Sequence, residues 1–399
     1  MMTKEAWNHA VDRYIREQNA KVGKPVVRSP EIASSFPQAH ALVTEEVISD
    51  YACNIGDNNP LYRSAEYARN TRWGGVIAPT GGFVRYIAET GSFARDGALE
   101  GFSYLYGGTV YECRDVIRAG DTFTIHDEFL GVQEKQLAPE KAERYRLLSM
   151  QDRRDYINQN GETVVSATGT VLITCVYPGG QSAKQESAVY GKAEKPCYTD
   201  AQLDKIYRYY EAYQRGEYRR GSVPRYWEDV QVGDEMPTMI KGPMEVIDMV
   251  SFACAVGSTM GSAATKWETI RTLHDTRDPE TNIWLTRDAF HYSDSYARAC
   301  GFPLALTYGA LVESYLAEAV SDWMGDDGFI VKLTHQQRRA CFHGDLIYIK
   351  GGVTKKYQEG GAYLVELTFW AENQKGVKLN PSMAIVRLPA KAEQNGCAR

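Results

Sequence analysis

The sequence predicts an α+β fold made of two similar halves, each with a helix packed on an antiparallel sheet. Three observations support this prediction. The chain has 399 residues, enough for two or three ordinary domains. Five blocks of the first half return in the same order in the second half. Within each half, apolar residues at helical spacing are followed by strand-like alternation.

The internal repeat is clearest around a shared Tyr-Ala-Arg segment. Residues 65–75, AEYARNTRWGG, correspond to residues 294–304, DSYARACGFPL. One such match arises easily by chance, whereas five matches in the same order indicate duplication. The other four pairs are 22–25 with 232–237, 43–56 with 244–257, 118–125 with 342–349, and 156–174 with 371–389.

The helices are predicted in the same order in both halves. A short helix ends at Gly56 in the first half and at Gly257 in the second, and a small helix with Tyr-Ala-Arg follows a loop. A longer helix is then predicted at about 79–91 and at 308–322. Apolar residues at helical spacing mark the second of these, namely Leu311, Tyr315, Leu316 and Ala319. The N-terminal segment, MMTKEAWNHAVDRYIREQNAKVGKP, predicts a further short amphipathic helix.

Strand patterns follow the long helix in both halves. DTFTIHDEFLGV and TVVSATGTVLITCVY lie in the first half, and DLIYIKGGV and AYLVELTFWAEN lie in the second. We therefore expect one domain at residues 1–175 and another at residues 224–399. The linker at 176–223 begins with many Gly, Ser and Lys residues and ends with a helical segment, DAQLDKIYRYYEAYQRGEYRRG.

Composition argues against several classes of function. The formal net charge of −6 gives no general basic surface, so no nucleic-acid partner is expected. No apolar run is long enough to span a membrane, and the N-terminal segment lacks the apolar core of a signal peptide. The eight cysteines follow neither a metal-ligand nor a disulfide-rich spacing. We expect reduced cysteines, no metal site and a cytoplasmic location.

Several motifs resemble one known family. The order YACNIGDNNPLY…AEYARNTRWGGVIAPT, AGDTF and NQNGE resembles the FAS1-like N-terminal domain of the MaoC-like dehydratases. DSYARACGFPLALTYGAL, HGDLIYIKGGV and ENQKG…AIVRLP resemble the MaoC domain itself. The resemblance covers nearly the whole chain apart from the first 20 residues and the linker. It implies a double hot-dog fold, in which an antiparallel sheet wraps a long helix in each half.

The resemblance also implies a reaction, the reversible addition of water across the 2,3-double bond of an acyl-CoA thioester. In the family an Asp and a His five residues later handle the water. A backbone N–H at the start of the long helix binds the thioester oxygen, which a helix N-terminus suits electrostatically. No cofactor is implied beyond the coenzyme A that belongs to the substrate.

The first half carries only part of this pair. Asp57 occupies the acid position, but Tyr62 stands where the family has histidine. Because tyrosine has an ordinary pKa of about 10, it donates a hydrogen bond more readily than it accepts a proton. We expect Asp57, Asn59 and Tyr62 to bind substrate. The alternative is that Tyr62 is a wall residue and Asp57 a loop cap.

The second half carries the histidine. When Tyr296 is aligned with Tyr67, His291 falls at the histidine position, but the acid position holds Thr286. Aligning the preceding helices instead places Ser258 there. The two offsets, 229 and 201, differ by 28 residues. An insertion near 258–285 therefore interrupts the loop, and it is predicted to act as a lid, to shape the substrate site or to form a dimer contact.

The catalytic assignment rests on this half. We predict His291 as the base, Asp288 as its acidic partner and Gly309 as the residue whose amide binds the thioester oxygen. Tyr308 is expected to bind substrate beside Gly309. Arg338 and Arg339 are expected to contact CoA phosphates, with surface salt bridges as the alternative.

These observations favour an acyl-CoA hydratase or dehydratase whose C-terminal half is catalytic, acting on a bulky or aromatic acyl group. Two other hypotheses stay open. In the first, the chain is a non-catalytic subunit of a heteromeric MaoC-like dehydratase. In the second, it is an acyl-CoA thioesterase. The expected assembly is a homodimer or a heteromer with another MaoC-like chain.

Overall fold

The structure, a computed structural model, describes residues 3–26, 42–88, 98–177, 193–257, 267 and 274–391. The first half consists mainly of four long strands with short helices before them. The helices are α1 (Lys4–Asn19), α2 (Glu45–Asn54), α3 (Pro60–Arg63), α4 (Ala65–Arg69), α5 (Val84–Ile87) and α6 (Pro139–Ala142). The strands are β1 (Phe102–Cys113), β2 (Phe123–Glu134), β3 (Tyr145–Asn158) and β4 (Thr163–Val176).

A helix, α7 (Asp200–Gln214), precedes the second half, as the linker sequence predicts. The further helices are α8 (Val246–Ala255), α9 (Asp294–Ala299) and α10 (Gly309–Met324), with 3-10 helices at Trp227–Asp229 and Arg287–His291. The strands are β5 (Met239–Lys241), β6 (His274–Arg277), β7 (Trp284–Thr286), β8 (Phe329–His335), β9 (Ile347–Glu359), β10 (Ala362–Asn373) and β11 (Lys378–Arg387).

Both halves contribute to one nine-stranded sheet of order β2-β3-β4-β1-β8-β11-β10-β9-β5. All of its strand pairs are antiparallel. The order β2-β3-β4-β1 is mirrored by β9-β10-β11-β8, so the repeat in the sequence is a repeat in the fold. The halves join where β1 pairs with β8, for example Tyr111 with Leu333. The α+β double hot-dog prediction is confirmed.

The long helix of the second half, α10, lies inside the protein. Every residue from Leu311 to Met324 is buried, so both its apolar and its polar faces contact other elements. A helix buried on all sides is typical of a core element. It ends at Gly325, whose φ of 76° suits the left-handed conformation that glycine adopts without strain. The predicted helix at 308–322 is therefore confirmed.

The corresponding helix of the first half is much shorter than predicted. The sequence predicts a helix at about 79–91, but within the described residues 79–88 helix α5 covers only Val84–Ile87, and residues 89–91 lie outside the described residues. Gly81 has a φ of 93°, and Ala88 is extended at φ −157° and ψ 123°, so neither residue can continue a helix. Gly82 is packed too tightly for a side chain, because an added Cβ would lie 2.4 Å from Ser314 Oγ of α10. Most of the central space is thus occupied by α10.

The described part of the predicted insertion at 258–285 contains regular secondary structure. Strands β6 and β7 pair as a small antiparallel hairpin, and the Arg277 guanidinium lies 4.7 Å from the centre of the Trp284 ring. Residues 258–266 and 268–273 lie outside the described residues. The hairpin leads directly into the 3-10 helix that carries His291.

The N-terminal amphipathic helix predicted from the sequence is α1. It buries Trp7, Val11 and Tyr14 against apolar side chains of the first-half sheet, including Phe129 and Ile173. No helix among the described residues is both long and apolar enough to cross a membrane.

Candidate functional site

The accessible end of α10 is its N-terminus. Tyr308, Gly309 and Ala310 are partly exposed, whereas all later residues of the helix are buried. Within the described part of the chain, no acceptor takes up the backbone N–H groups of Gly309 and Ala310. A helix N-terminus presents such donors together with the positive end of the helix dipole. This end of α10 can therefore stabilise a negatively charged oxygen.

His291 lies beside this helix end. Its Nδ1 is 2.9 Å from the carbonyl oxygen of Leu306, and its ring centre is 3.7 Å from that of Tyr308. Because a carbonyl only accepts hydrogen bonds, Nδ1 carries a proton, and Nε2 is the nitrogen that can accept a proton when the ring is neutral. The predicted residues His291, Tyr308 and Gly309 are thus brought together, with the imidazole oriented as a base requires.

Helix α8 supports the position of Tyr308. The Tyr308 amide donates to the Met249 sulfur at 3.3 Å, and the Phe252 ring lies 5.5 Å from the tyrosine ring. His291 also contacts Phe290, whose ring centre is 4.2 Å away. These aromatic contacts restrict the imidazole together with its hydrogen bond to Leu306.

The first half and the β8–β9 connection complete the surroundings of Gly309. A Cβ added there would lie 2.7 Å from Tyr106 Cδ1 and 3.0 Å from Gln337 Oε1. The Asn380 amide donates to the same Gln337 oxygen at 2.6 Å. A glycine is therefore required at position 309 by close packing, in addition to any role of its N–H. Both halves of the chain border this site.

Two of the predicted binding residues, Arg338 and Arg339, directly follow Gln337 on this connection. Both are exposed, and both of their amides donate to the Leu379 carbonyl. Arg338 also donates to Gln336 Oε1. Their side chains are positioned on the surface near the start of α10, where a phosphate group could reach them.

The predicted acidic partner, Asp288, is an exposed residue of the same 3-10 helix as His291. Two other acids near this loop form hydrogen bonds that stabilise the local structure. Asp294 accepts hydrogen bonds from the Ala305 amide and from Lys195, and its pKa is lowered by these partners although burial opposes the shift. The role of Asp288 as partner of His291 stays a prediction.

Asp278 is the second of these acids and lies in the β6–β7 hairpin. It is buried and accepts the hydroxyl groups of Ser295 and Ser293 at 2.7 and 3.1 Å. The Ser295 hydrogen bond is the main reason why its pKa is lowered to about 2. The carboxylate thereby fixes the hairpin to the start of α9 and holds the loop that carries His291.

A second histidine, His343, lies under this loop and was missed by sequence reasoning. Its ring interacts with the backbone of His291, and its backbone N–H donates to Ala305. Burial lowers the pKa of His343, so the ring is neutral at neutral pH. It lies 52 positions away from His291 in the sequence, and no motif signals the contact.

The first-half loop lies elsewhere. Asp57, Asn59 and Tyr62 are buried, with 1, 2 and 3% of their surfaces exposed. Asp57 accepts the Asn59 amide at 2.9 Å, and Asn59 in turn caps α3 by accepting the Leu61 amide at 3.0 Å. Their predicted role in binding substrate stays a prediction, but in this structure they make internal contacts.

Asp57 faces the middle of α10 rather than its N-terminus. It lines a narrow recess together with Ser314, Glu318 and Ser321. These residues follow Gly309 by 5 to 12 positions, which is about 8–18 Å along a helix axis. Asp57 and His291 therefore belong to different places in the fold and do not form one catalytic pair.

A buried charged cluster surrounds Asp57. We call it the acid cluster, and it comprises Asp57, Lys241, Glu318 and Asp322. Lys241 Nζ donates to Glu318 Oε1 at 2.6 Å, and the Tyr213 hydroxyl donates to the same oxygen. Burial raises the pKa of all three acids, and that of Glu318 reaches about 7. Neither oxygen of Asp322 has a hydrogen-bond partner among the described residues.

The three acids of the acid cluster are not arranged as the ligands of a metal ion. Among the residues that the structure describes, no group of three or more His, Cys, Asp or Glu side chains is arranged to hold a metal ion. Lys241, which lies within the acid cluster, supplies the positive charge there instead.

Comparison with known proteins agrees with the fold. Residues 31–167 match the family model of the FAS1-like dehydratase domain region. A comparison with curated protein sequences finds no match. A solved structure described as a MaoC-like dehydratase is 19% identical, with a TM-score of 0.59, and the match covers 90% of this chain and 100% of that one.

A second solved structure, described as a MaoC domain protein dehydratase from Chloroflexus aurantiacus J-10-fl, is 12% identical. Its TM-score is 0.55, and the match covers 89% of this chain and 96% of that one. At such identities the likeness concerns the fold. Together with the family match, it confirms the resemblance that the sequence motifs indicate.

Proposed function

We propose that this chain, a member of the MaoC-like dehydratase family by its FAS1-like region at residues 31–167 and by its fold, hydrates or dehydrates an acyl-CoA thioester at the N-terminus of α10. One observation carries the proposal. An imidazole with Nε2 as its acceptor, that of His291, lies next to the accessible helix end at Gly309.

The proposed reaction uses these two groups for different tasks. His291 Nε2 takes a proton from water while the water oxygen forms a bond to the β-carbon of the enoyl thioester. Electrons of the double bond move towards the thioester oxygen, and the N–H groups of Gly309 and Ala310 stabilise its negative charge. The imidazolium of His291 then returns this proton to the α-carbon, either directly or by way of the Asp288 carboxylate. The net change is the addition of one water molecule.

The finer parts of the proposal concern the substrate. Arg338 and Arg339 bind the phosphates of coenzyme A, since guanidinium groups form paired hydrogen bonds to phosphate. Tyr308 contacts the acyl group beside the thioester. No cofactor takes part. The protein acts as a homodimer or together with another MaoC-like chain.

The test follows the conjugated thioester by its absorbance when the purified protein is mixed with 2-enoyl-CoA substrates of several lengths. Loss of absorbance without release of free thiol indicates hydration, whereas thiol release indicates a thioesterase. His291→Ala should lower kcat by about 10²–10⁴-fold, the usual contribution of a positioned general base. His126→Ala, which changes an exposed histidine on β2, serves as the control.

Two results would contradict the proposal. Wild-type rates in His291→Ala would remove the histidine from the reaction. Inactivity with every substrate, relieved only when a second MaoC-like chain is added, would identify this chain as the non-catalytic subunit. That hypothesis is favoured by the loop sequence, in which Thr286 rather than an acid stands five residues before His291.

A further inference from the structure

Tyr106 is a first-half residue that reaches the second-half site. It belongs to β1, yet a Cβ added to Gly309 would lie only 2.7 Å from Tyr106 Cδ1. The residue is half-buried, and its ring lies beside the partly exposed Gly309. An acyl group whose carbonyl oxygen is bound at Gly309 must therefore lie near this ring.

An irregularity in β1 aims the side chain in this direction. The register between β1 and β4 shifts between Tyr106 and Gly108, as at a β-bulge. Gly108 has a φ of 123°, and a Cβ there would lie 2.2 Å from the His335 carbonyl oxygen. The backbone N–H of Gln337 donates to the Gly107 carbonyl oxygen at 3.0 Å. This hydrogen bond fixes the bulge to the β8–β9 connection. Bulges commonly reorient a side chain beside a functional site.

Buried charges hold the ring in place. The Tyr106 hydroxyl donates to Glu313 and lies 2.8 Å from Thr109 Oγ1. Glu313 is completely buried and also contacts Arg85 at 3.6 Å. If the ring swung away, the buried Glu313 carboxylate would lose a hydrogen bond, which is costly for a charged acceptor.

Two neighbouring side chains also contact the ring. The Arg85 guanidinium lies 5.0 Å from the ring centre, and the His335 ring is stacked at 5.9 Å with an angle of 15°. The side chain is therefore fixed by its hydroxyl and by its ring contacts at once. A ring held this firmly cannot yield to a substrate.

We propose that Tyr106 is a specificity-determining residue that excludes substituents on the α-carbon of the acyl thioester. This inference rests on the proposed function, because it places the thioester carbonyl at Gly309. The α-carbon is bonded directly to that carbonyl carbon and so lies within reach of the ring. An unbranched 2-enoyl chain fits beside the ring, whereas an α-methyl group collides with it.

The experiment compares an unbranched 2-enoyl-CoA with its 2-methyl analogue. Tyr106→Ala should raise the ratio of kcat/KM for the methylated over the unbranched substrate by about 10-fold or more, the usual discrimination for one methyl-sized group. Tyr106→Phe keeps the ring and should leave the ratio within about 3-fold of wild type. Tyr357→Ala, which changes a half-buried tyrosine on β9, should also leave it unchanged.

Binding measurements separate this inference from the proposed function. Calorimetry with saturated butanoyl-CoA and 2-methylbutanoyl-CoA should show the same change in preference for Tyr106→Ala, even if the protein hydrates neither enoyl substrate. If Tyr106→Ala does not fold, Tyr106→Leu takes its place. An unchanged ratio in both kinetics and binding, with a folded variant, would overturn the role of Tyr106 while leaving the hydratase proposal untouched.

Discussion

The acid cluster predicts a stability that falls as pH rises towards neutrality. Glu318 is buried on α10, and burial together with the nearby charge of Asp57 raises its pKa from 4.5 to about 7. Lys241 at 2.6 Å opposes this shift but does not overcome it. We therefore predict that Glu318→Gln makes stability less dependent on pH.

The sign follows from proton binding. Between pH 4.5 and 7 the folded protein keeps a proton on Glu318 that the unfolded chain has lost, so the unfolding free energy decreases as pH rises. The stabilising contribution is complete below pH 4.5 and is lost as pH passes through 7. A shift from 4.5 to about 7 corresponds to a loss on the order of 3 kcal/mol across this window. The raised pKa values of Asp57 and Asp322 add to the loss in the same direction.

The assay is urea unfolding at pH 4.5, 6, 7 and 8, followed by circular dichroism. The contribution of Glu318 to wild-type stability should be lost steadily over this range, while the lowered pKa values of His335 and His343 act in the opposite direction below about pH 6.5. Glu318→Gln should lose on the order of 3 kcal/mol less, because glutamine does not titrate. Glu211→Gln, which changes an exposed glutamate on the adjacent α7, should follow the wild-type curve.

A wild-type stability that falls less steeply with pH than that of Glu318→Gln would contradict the argument, since it would mean that Lys241 keeps Glu318 ionised throughout. Equal slopes for wild type and Glu318→Gln would also refute it. A uniform loss of stability in Glu318→Gln at all pH values is compatible with the argument, because Lys241 loses its charged partner. The slope, not the absolute value, is the decisive quantity.

Two further predictions concern Gly309 and Asn59. Gly309→Ala should reduce kcat/KM at least about 10-fold, because its Cβ would lie 2.7 Å from Tyr106 Cδ1, whereas Gly75→Ala, with open space at the Cβ, should be tolerated. Steady-state kinetics measure this, and wild-type activity in Gly309→Ala would contradict the packing at the helix end. Asn59→Ala should destabilise the protein by about 1 kcal/mol in urea unfolding, since it removes the buried cap of α3. The exposed Asn70→Ala should cost less than about 0.5 kcal/mol, and equal effects would argue against the cap.

The sequence was sufficient to predict the double fold because its signals are local and repeated. The strands of both halves follow alternating patterns, and the helix at Gly309–Met324 has apolar residues at helical spacing. The first-half helix was predicted too long for a related reason. Its sequence corresponds to that of α10, but backbone conformations at Gly81 and Ala88, which the pattern does not reveal, prevent a helix.

The candidate site was predictable only where a motif marks it. The register of His291 with the family histidine located the imidazole, and LTYGAL located the helix end. Tyr106, Gln337 and His343 reach the site through strand pairing and loop packing from distant parts of the chain. Such contacts depend on how β1 pairs with β8, which residue types alone do not determine.

The duplication gave two copies of a loop, and in the described part of the chain both copies lie against the same long helix, α10. The N-terminus of α10 is accessible beside His291, whereas its middle covers the loop that contains Asp57 and Tyr62. Tyr62 is 3% exposed and forms a hydrogen bond with Ser321 of α10. Burial shields its hydroxyl from bulk water and raises its pKa, so the hydroxyl does not ionise near neutral pH. A histidine in that place would also be driven to its neutral form and shielded from substrate. The tyrosine at position 62 is therefore explained by its buried contact with Ser321 of α10.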